Sequence, residues 1–132
     1  PSAPLSLLTR TPSDPHPLPE PRTLPTTFPA MPGPLDGIRI VDFSVALTGP
    51  LAAGMLVDQG ADCIKVEQSP NGDLVRWLGT SIEGISSMFQ IANRGKRSAT
   101  IDLQQDEGRA IALDLVADSD VVVQNFRPGV AE

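Results

Sequence analysis

The 132-residue chain carries a net charge of −6 and a sequence pI near 4.6, so it offers no global basic field to draw in nucleic acid. One cysteine, Cys63, and one histidine, His16, exclude an internal disulfide and a Cys/His metal site, and His16 stands among prolines, which sets aside a Ser-His-Asp triad. No apolar run approaches the length of a membrane span, and the broad expectation is a cytoplasmic, acidic α/β protein.

Eleven of the 14 prolines lie at or before Pro34. Residues 1–33 are therefore expected to be a Pro/Ser/Thr-rich tail in polyproline II or disordered form. Arg10 and Arg22 are its only cations, set against Asp14 and Glu20, which argues against a transit peptide, and no h-region marks a secretory signal. Met31, just ahead of the first strand, is an alternative start. On that reading residues 1–30 are upstream sequence or an extension, and the lack of Met at position 1 agrees with an incomplete or processed chain. Residues 34–132 remain, enough for a small fold or part of a larger one.

The rest of the chain is organised around Pro34-Leu35-Asp36-Gly37-Ile38-Arg39-Ile40-Val41-Asp42-Phe43. Its β-branched and aromatic content predicts a strand over 38–43, apolar enough to be buried on both faces. The loop 44–50 comes next, with Thr48 or Gly49 as cap and Pro50 in the first turn of a helix. Leu51, Ala52, Met55 and Leu56 are its expected apolar face, and Gly60 its terminator. Residues 62–67 read as a second strand, completing a βαβ unit, with Cys63 as a small buried apolar residue. Ser69, Pro70, Asn71 and Gly72 mark a loop. Residues 74–84, with Trp77, are left unassigned. A short helix over 86–92 ends in the polar cluster Asn93-Arg94-Gly95-Lys96-Arg97. A third strand spans 98–103. A helix runs from Asp106 and Glu107, which suit a helix N-terminus, to about Ala117. A fourth strand spans 120–124, leading into Asn125-Phe126-Arg127-Pro128-Gly129. The chain stops at what reads as the opening of another helix, as part of a longer fold would.

In an open α/β sheet, ligands bind outside the carboxyl ends of the strands, so 44–50 and 125–129 are the first candidate ligand loops. The plainer reading of 125–129 is a strand-to-helix turn, and that of 93–97 a solvated turn. Asp42 and Glu67 are expected to cap neighbouring loops, and Trp77 to lie in the core or at a subunit interface. A nicotinamide-binding half-domain is a rival, with Glu67 placed to hold a ribose. The loop after the first strand lacks G-x-G-x-x-G, which argues strongly against it.

Four blocks occur in order: residues 34–43, Gly60-Ala61-Asp62-Cys63-Ile64-Lys65-Val66-Glu67, Asn93-Arg94-Gly95-Lys96-Arg97-Ser98, and Asn125-Phe126-Arg127-Pro128-Gly129. Together they resemble the N-terminal part of family III CoA-transferases, the CaiB/BaiF family, whose relatives include formyl-CoA transferase, carnitine CoA-transferase and α-methylacyl-CoA racemase. The resemblance implies a Rossmann-like parallel sheet with flanking helices, forming the incomplete N-terminal portion of a large domain in an interlocked homodimer. It implies no permanently bound cofactor. Coenzyme A enters as acyl-CoA substrate alongside a carboxylic acid, with neither nucleic acid nor membrane as partner. The CoA contacts it implies are Leu47 and Thr48; Gln68; Ile101, Asp102, Leu103 and Gln104; and Asn125, Phe126 and Arg127. Gln68 and Gln104 stand where formyl-CoA transferase has cations, and Arg94, Lys96 and Arg97 are candidates to compensate. The family's transferases form an anhydride and then a CoA thioester on an aspartate beyond the position of Glu132. No catalytic residue is assigned here, and the fragment alone is expected to be inactive. The alternatives are a racemase-like enzyme, or a noncatalytic CoA-binding fragment.

Overall fold

A computed structural model describes residues 32–83 and 85–130; of the expected tail over 1–33, residues 1–31, including Met31, lie outside the described residues. Four parallel strands form the central sheet: β1 (Arg39–Asp42), β2 (Asp62–Glu67), β5 (Arg97–Thr100) and β6 (Val121–Val123). Their spatial order is β5-β2-β1-β6. In chain order this is third, second, first, fourth, the strand order of a doubly wound Rossmann-like sheet. Between β2 and β5 lie a two-stranded antiparallel hairpin of β3 (Ser81–Ile82) and β4 (Ile85–Ser86) and a short helix, α2 (Ser87–Asn93). Two longer helices, α1 (Thr48–Val57) and α3 (Asp106–Ala117), follow β1 and β5.

The sheet separates two apolar clusters. On one face Ile40 and Cys63 pack with Ala53 of α1 and with Ala61. On the other, Val41 and Val66 pack with Ile101, and Leu115 of α3 covers them. Successive side chains of a strand alternate between faces, so a nearly continuous apolar run such as residues 38–43 serves both layers. The ladder reaches past the strand ends: Phe43 N–H donates to Val123 O at 2.8 Å and Asp62 N–H to Ile38 O at 2.9 Å. The expected first strand is therefore two residues too long as an element, although both extra residues lie in the ladder. The third strand stops at Thr100 rather than 103, because Ile101 N–H makes the last bond, to Glu67 O at 2.9 Å, before the chain turns at Asp102.

Both helices dock through their smallest residues. The buried residues of α1 are Pro50, Ala53 and Gly54, with Val57 partly buried, whereas Met55 and Ala52 are exposed. A Cβ at Gly54 would lie 3.0 Å from the carbonyl oxygen of Ala92, tighter than an ordinary contact, so the close approach of α1 to α2 favours glycine there. In α3, Gly108 and Ala112 are buried, while Ile111 and Leu113 face outward. The expected apolar face of the first helix is corrected in part: Leu56 packs against the core as expected, together with Val57, but Ala52 and Met55 face outward and the fully buried positions are the small residues 50, 53 and 54, which let the helix sit close to the sheet.

The described residues of the unassigned stretch 74–84 hold a 3₁₀ turn, Leu74–Trp77, and the first strand of the hairpin. Asp73 caps the turn by accepting from Val75 N–H, and Ser86 caps α2 by accepting from Phe89 N–H at 3.1 Å. Trp77 is 59% exposed, with its indole N–H donating to Asn71 O at 2.9 Å. It does not belong to the core of the described residues. No described helix is long and apolar enough to cross a membrane.

Candidate functional site

The strand order reverses between β1 and β6, and the crevice outside their carboxyl ends is where such sheets bind ligands. Two loops meet there. Asn125, after β6, accepts from Val45 N–H and donates to Val45 O, both at 2.8 Å. This two-way amide clamp fixes the loop after β1 against the loop after β6.

A second set of contacts comes from charged side chains beneath the crevice. Asp42 and Lys65 stand side by side in register on β1 and β2, and both are essentially unexposed, at 0% and 1%. Unpaired charge cannot be buried cheaply, and neither group is unpaired. One Asp42 oxygen accepts from the backbone N–H of Ser44 at 2.9 Å and from its hydroxyl. The other lies 2.7 Å from Lys96 Nζ, which also donates to Pro50 O at 2.6 Å and Asn93 Oδ1 at 3.0 Å. Lys65 Nζ donates to Ser44 O at 2.7 Å and sits 3.0 Å from Asp73 Oδ2. Asp73 Oδ1 accepts from Ala46 N–H and Val75 N–H, both at 3.1 Å. Burial pushes the Lys96 ammonium below the ordinary lysine range, and the hydrogen bond to Asp42 opposes it.

Glu67 closes β2 in the same manner. It accepts from Asp73 N–H, from the Arg76 guanidinium through both oxygens, and from the Ser98 hydroxyl. Burial alone would raise this carboxyl; the bonds from Arg76, Asp73 and Ser98 outweigh it and hold it at about 2, against an ordinary 4.5. Arg76 in turn lies over the Phe89 ring, 3.7 Å from its centroid. Because the folded pKa is depressed, the stabilisation is full above about pH 4.5, declines as pH falls, and is gone once pH drops through about 2. The expected loss across that window is roughly 3 kcal/mol. Urea titrations of Glu67→Gln should show a shallower acid dependence than wild type, and parallel curves would remove Glu67 as its source.

Gly49, in the first turn of α1, lets the loop fold back on the helix. A Cβ there would lie 2.6 Å from Ser44 Oγ. Gly49→Ala is expected to displace Ser44 from Asp42 and destabilise the fold by about 1–3 kcal/mol. A thermal midpoint equal to wild type would show that the loop yields freely.

The implied contact residues fall into groups. Leu47 and Thr48 open α1 beside the Asn125 clamp, both exposed. Leu47, rather than Thr48 or Gly49, is the N-cap, with no side-chain cap bond, because the loop has already turned at Ala46 and Leu47 O accepts from Leu51 N–H at 2.8 Å. Gln68 is exposed after β2, its carbonyl accepting from Gly72 N–H. Leu103 and Phe126 line an apolar cleft of about 530 Å³ with Phe43, Val116, Val122 and Val130. Ile101 is only 8% exposed and packs into the core, so it can offer a ligand little but backbone. Asp102 caps its own turn by accepting from Gln104 N–H at 3.0 Å. Gln104 and Arg127 are exposed. The cations considered as compensation are committed elsewhere: Arg94 to Asp58, Lys96 to Asp42 and Arg97 to Asp62. The capping expectation for Asp42 and Glu67 agrees with the structure, since each accepts from the backbone of an adjacent loop. Lys65, Asp73 and Lys96 are crevice supports that the sequence reading misses. The available signal is a lysine in the middle of a buried strand, which must find a partner.

The sequence profile of CoA-transferase family III matches residues 35–132, a span that contains the whole sheet and every loop at its carboxyl edge. The chain belongs to CoA-transferase family III. It is 41% identical over 107 residues to the acetyl-CoA:oxalate CoA-transferase of Acetobacter aceti, covering 80% of this chain and 28% of that protein. To the succinyl-CoA:mesaconate CoA-transferase of Haloarcula hispanica it is 44% identical over 105 residues, 76% of this chain and 26% of that one. Among solved structures, a CAIB/BAIF family protein from Brucella suis superposes with a TM-score of 0.69 at 44% identity, over 75% of this chain and 27% of that one. The chain spans about a quarter of the length of the curated relatives it matches.

Proposed function

We propose that this chain forms the N-terminal portion of a CoA-transferase that moves coenzyme A between an acyl-CoA and a carboxylic acid, with the CoA held at the carboxyl edge of the sheet. The observation that carries this reading is the clamp of Asn125 on Val45, which draws together, at the switch point, the two loops that this reading assigns to the ligand. Exposed Leu47 and Thr48 beside the clamp, Gln68 after β2, and the turn residues 101–104 are the remaining contacts of the proposal. Phe126 and Leu103, in the apolar cleft, suit the pantetheine arm or adenine, and Arg127 supplies an exposed cation near the phosphates. The committed pairs of Arg94, Lys96 and Arg97 leave phosphate recognition to Arg127, backbone amides and residues outside this chain.

The chemistry proposed is the one that the family resemblance implies. A carboxylate attacks the acyl-CoA thioester, giving a mixed anhydride and CoA thiolate; the thiolate then attacks the aspartyl carbonyl, releasing the first acid and leaving CoA on the enzyme as a thioester. The acceptor acid repeats the sequence in reverse. No aspartate of this chain is assigned that role, and this segment alone is expected to be inactive. The exposed outer edge of β6, with Val121 and Val122, supports a sheet continued by further chain, and an interlocked cytoplasmic homodimer is the expected assembly. The test uses the complete reading frame: incubation with acyl-CoAs, then hydroxylamine, and mass spectrometry. An aspartyl hydroxamate is expected. Exchange of the α-hydrogen with deuterated water and no hydroxamate would instead indicate a racemase, and neither signal would leave a binding role.

A further inference from the structure

Ala46 has a backbone φ of 65°, a region that an L-residue with a side chain seldom enters. Joining a strand to a helix does not by itself demand it, and such strain persists where the surroundings over-determine it. Here they do. Asp73 Oδ1 accepts from Ala46 N–H at 3.1 Å, Lys65 Nζ donates to the preceding carbonyl of Ser44 at 2.7 Å, and the two side chains pair with each other at 3.0 Å. Both side chains are almost wholly buried, at 2% exposure for Lys65 and 1% for Asp73, so neither can itself touch a solute. They act on the loop through its backbone. A buried pair of this kind returns little net stability for the desolvation it costs, which suits a role in fixing one conformation.

We infer that Asp73 and Lys65 are positioning residues for CoA thioester binding: together they hold Ala46 in its left-handed conformation, which sets where Leu47, Thr48 and the first amides of α1 stand at the crevice. This rests on the CoA reading above. It links the loop after β2 mechanically to the loop after β1.

The test measures coenzyme A affinity calorimetrically, and thermal midpoints, on the full-length protein and three variants. Asp73→Ala should weaken binding by about tenfold and lower the midpoint, since Lys65 loses its partner. Adding Ala46→Gly to it should restore most of the affinity, because glycine holds a positive φ without strain, while the midpoint stays low. Ala46→Val touches no buried charge and so remains informative if the aspartate variant does not fold. A β-branched residue cannot keep that φ, and binding should again weaken about tenfold. Wild-type affinity in Asp73→Ala or Ala46→Val, or no rescue by glycine, would overturn the positioning role. A wild-type protein that does not bind coenzyme A would overturn the CoA reading, and this inference with it.

Discussion

Lys96→Met is expected to destabilise the fold by about 3–5 kcal/mol, the cost of leaving a buried charge without its partner. Asp42 is fully buried and Lys96 has 1% of its side chain exposed, so water cannot replace the lost ammonium. The same substitution strips a donor from Pro50 O and from Asn93 Oδ1, loosening the start of α1 and the end of α2 together. Most of the loss should return in the double variant Lys96→Met/Asp42→Asn, where no charge remains to be compensated. Denaturant titrations of the single and double variants would check this. A loss below about 1 kcal/mol in the single variant would mean that solvent reaches Asp42 and that the pair is not buried in effect.

Asn125→Ala should have the largest effect on the crevice itself. It removes the acceptor for Val45 N–H and the donor to Val45 O, two net contributions of about 0.5–1.5 kcal/mol each. The loop after β1 would then be free to part from the loop after β6. On the CoA reading, affinity for coenzyme A should fall by roughly tenfold to a hundredfold. Asn125→Asp separates the two halves of the clamp, since a carboxylate can accept from Val45 N–H but cannot donate to Val45 O. Its affinity should lie between those of wild type and the alanine variant. Equal affinity in all three would detach the clamp from ligand binding.

The parts of the fold legible in the sequence are those written in local chemistry. The elements at 62–67 and 106–117 match their expected bounds, the first through Ile64 and Val66 after the helix terminator Gly60, the second from acidic residues at a helix start. The helix faces are legible only in part, through Leu56 and Leu115, which pack against the core clusters. Met55 and Leu113 look like core residues by size, yet the helices turn Ala53, Gly54, Gly108 and Ala112 inward, because close packing on the sheet selects for small side chains. The hairpin of β3 and β4 is hidden by its length, two residues a strand, too short for any period. At the site, Asn125 stands out through its place after an apolar strand. Asp73 does not, since it lies six residues beyond β2 and its partners, Ala46 and Lys65, are brought to it only by the fold.

Hydrogen–deuterium exchange of the full-length protein, with and without saturating coenzyme A, tests the central claim most directly. If CoA sits at the switch point, amides over 44–48 and 124–127 should gain protection together, with a smaller gain over 68–73. Protection confined to other segments, or none despite measurable binding, would contradict a CoA site at the carboxyl ends of β1 and β6.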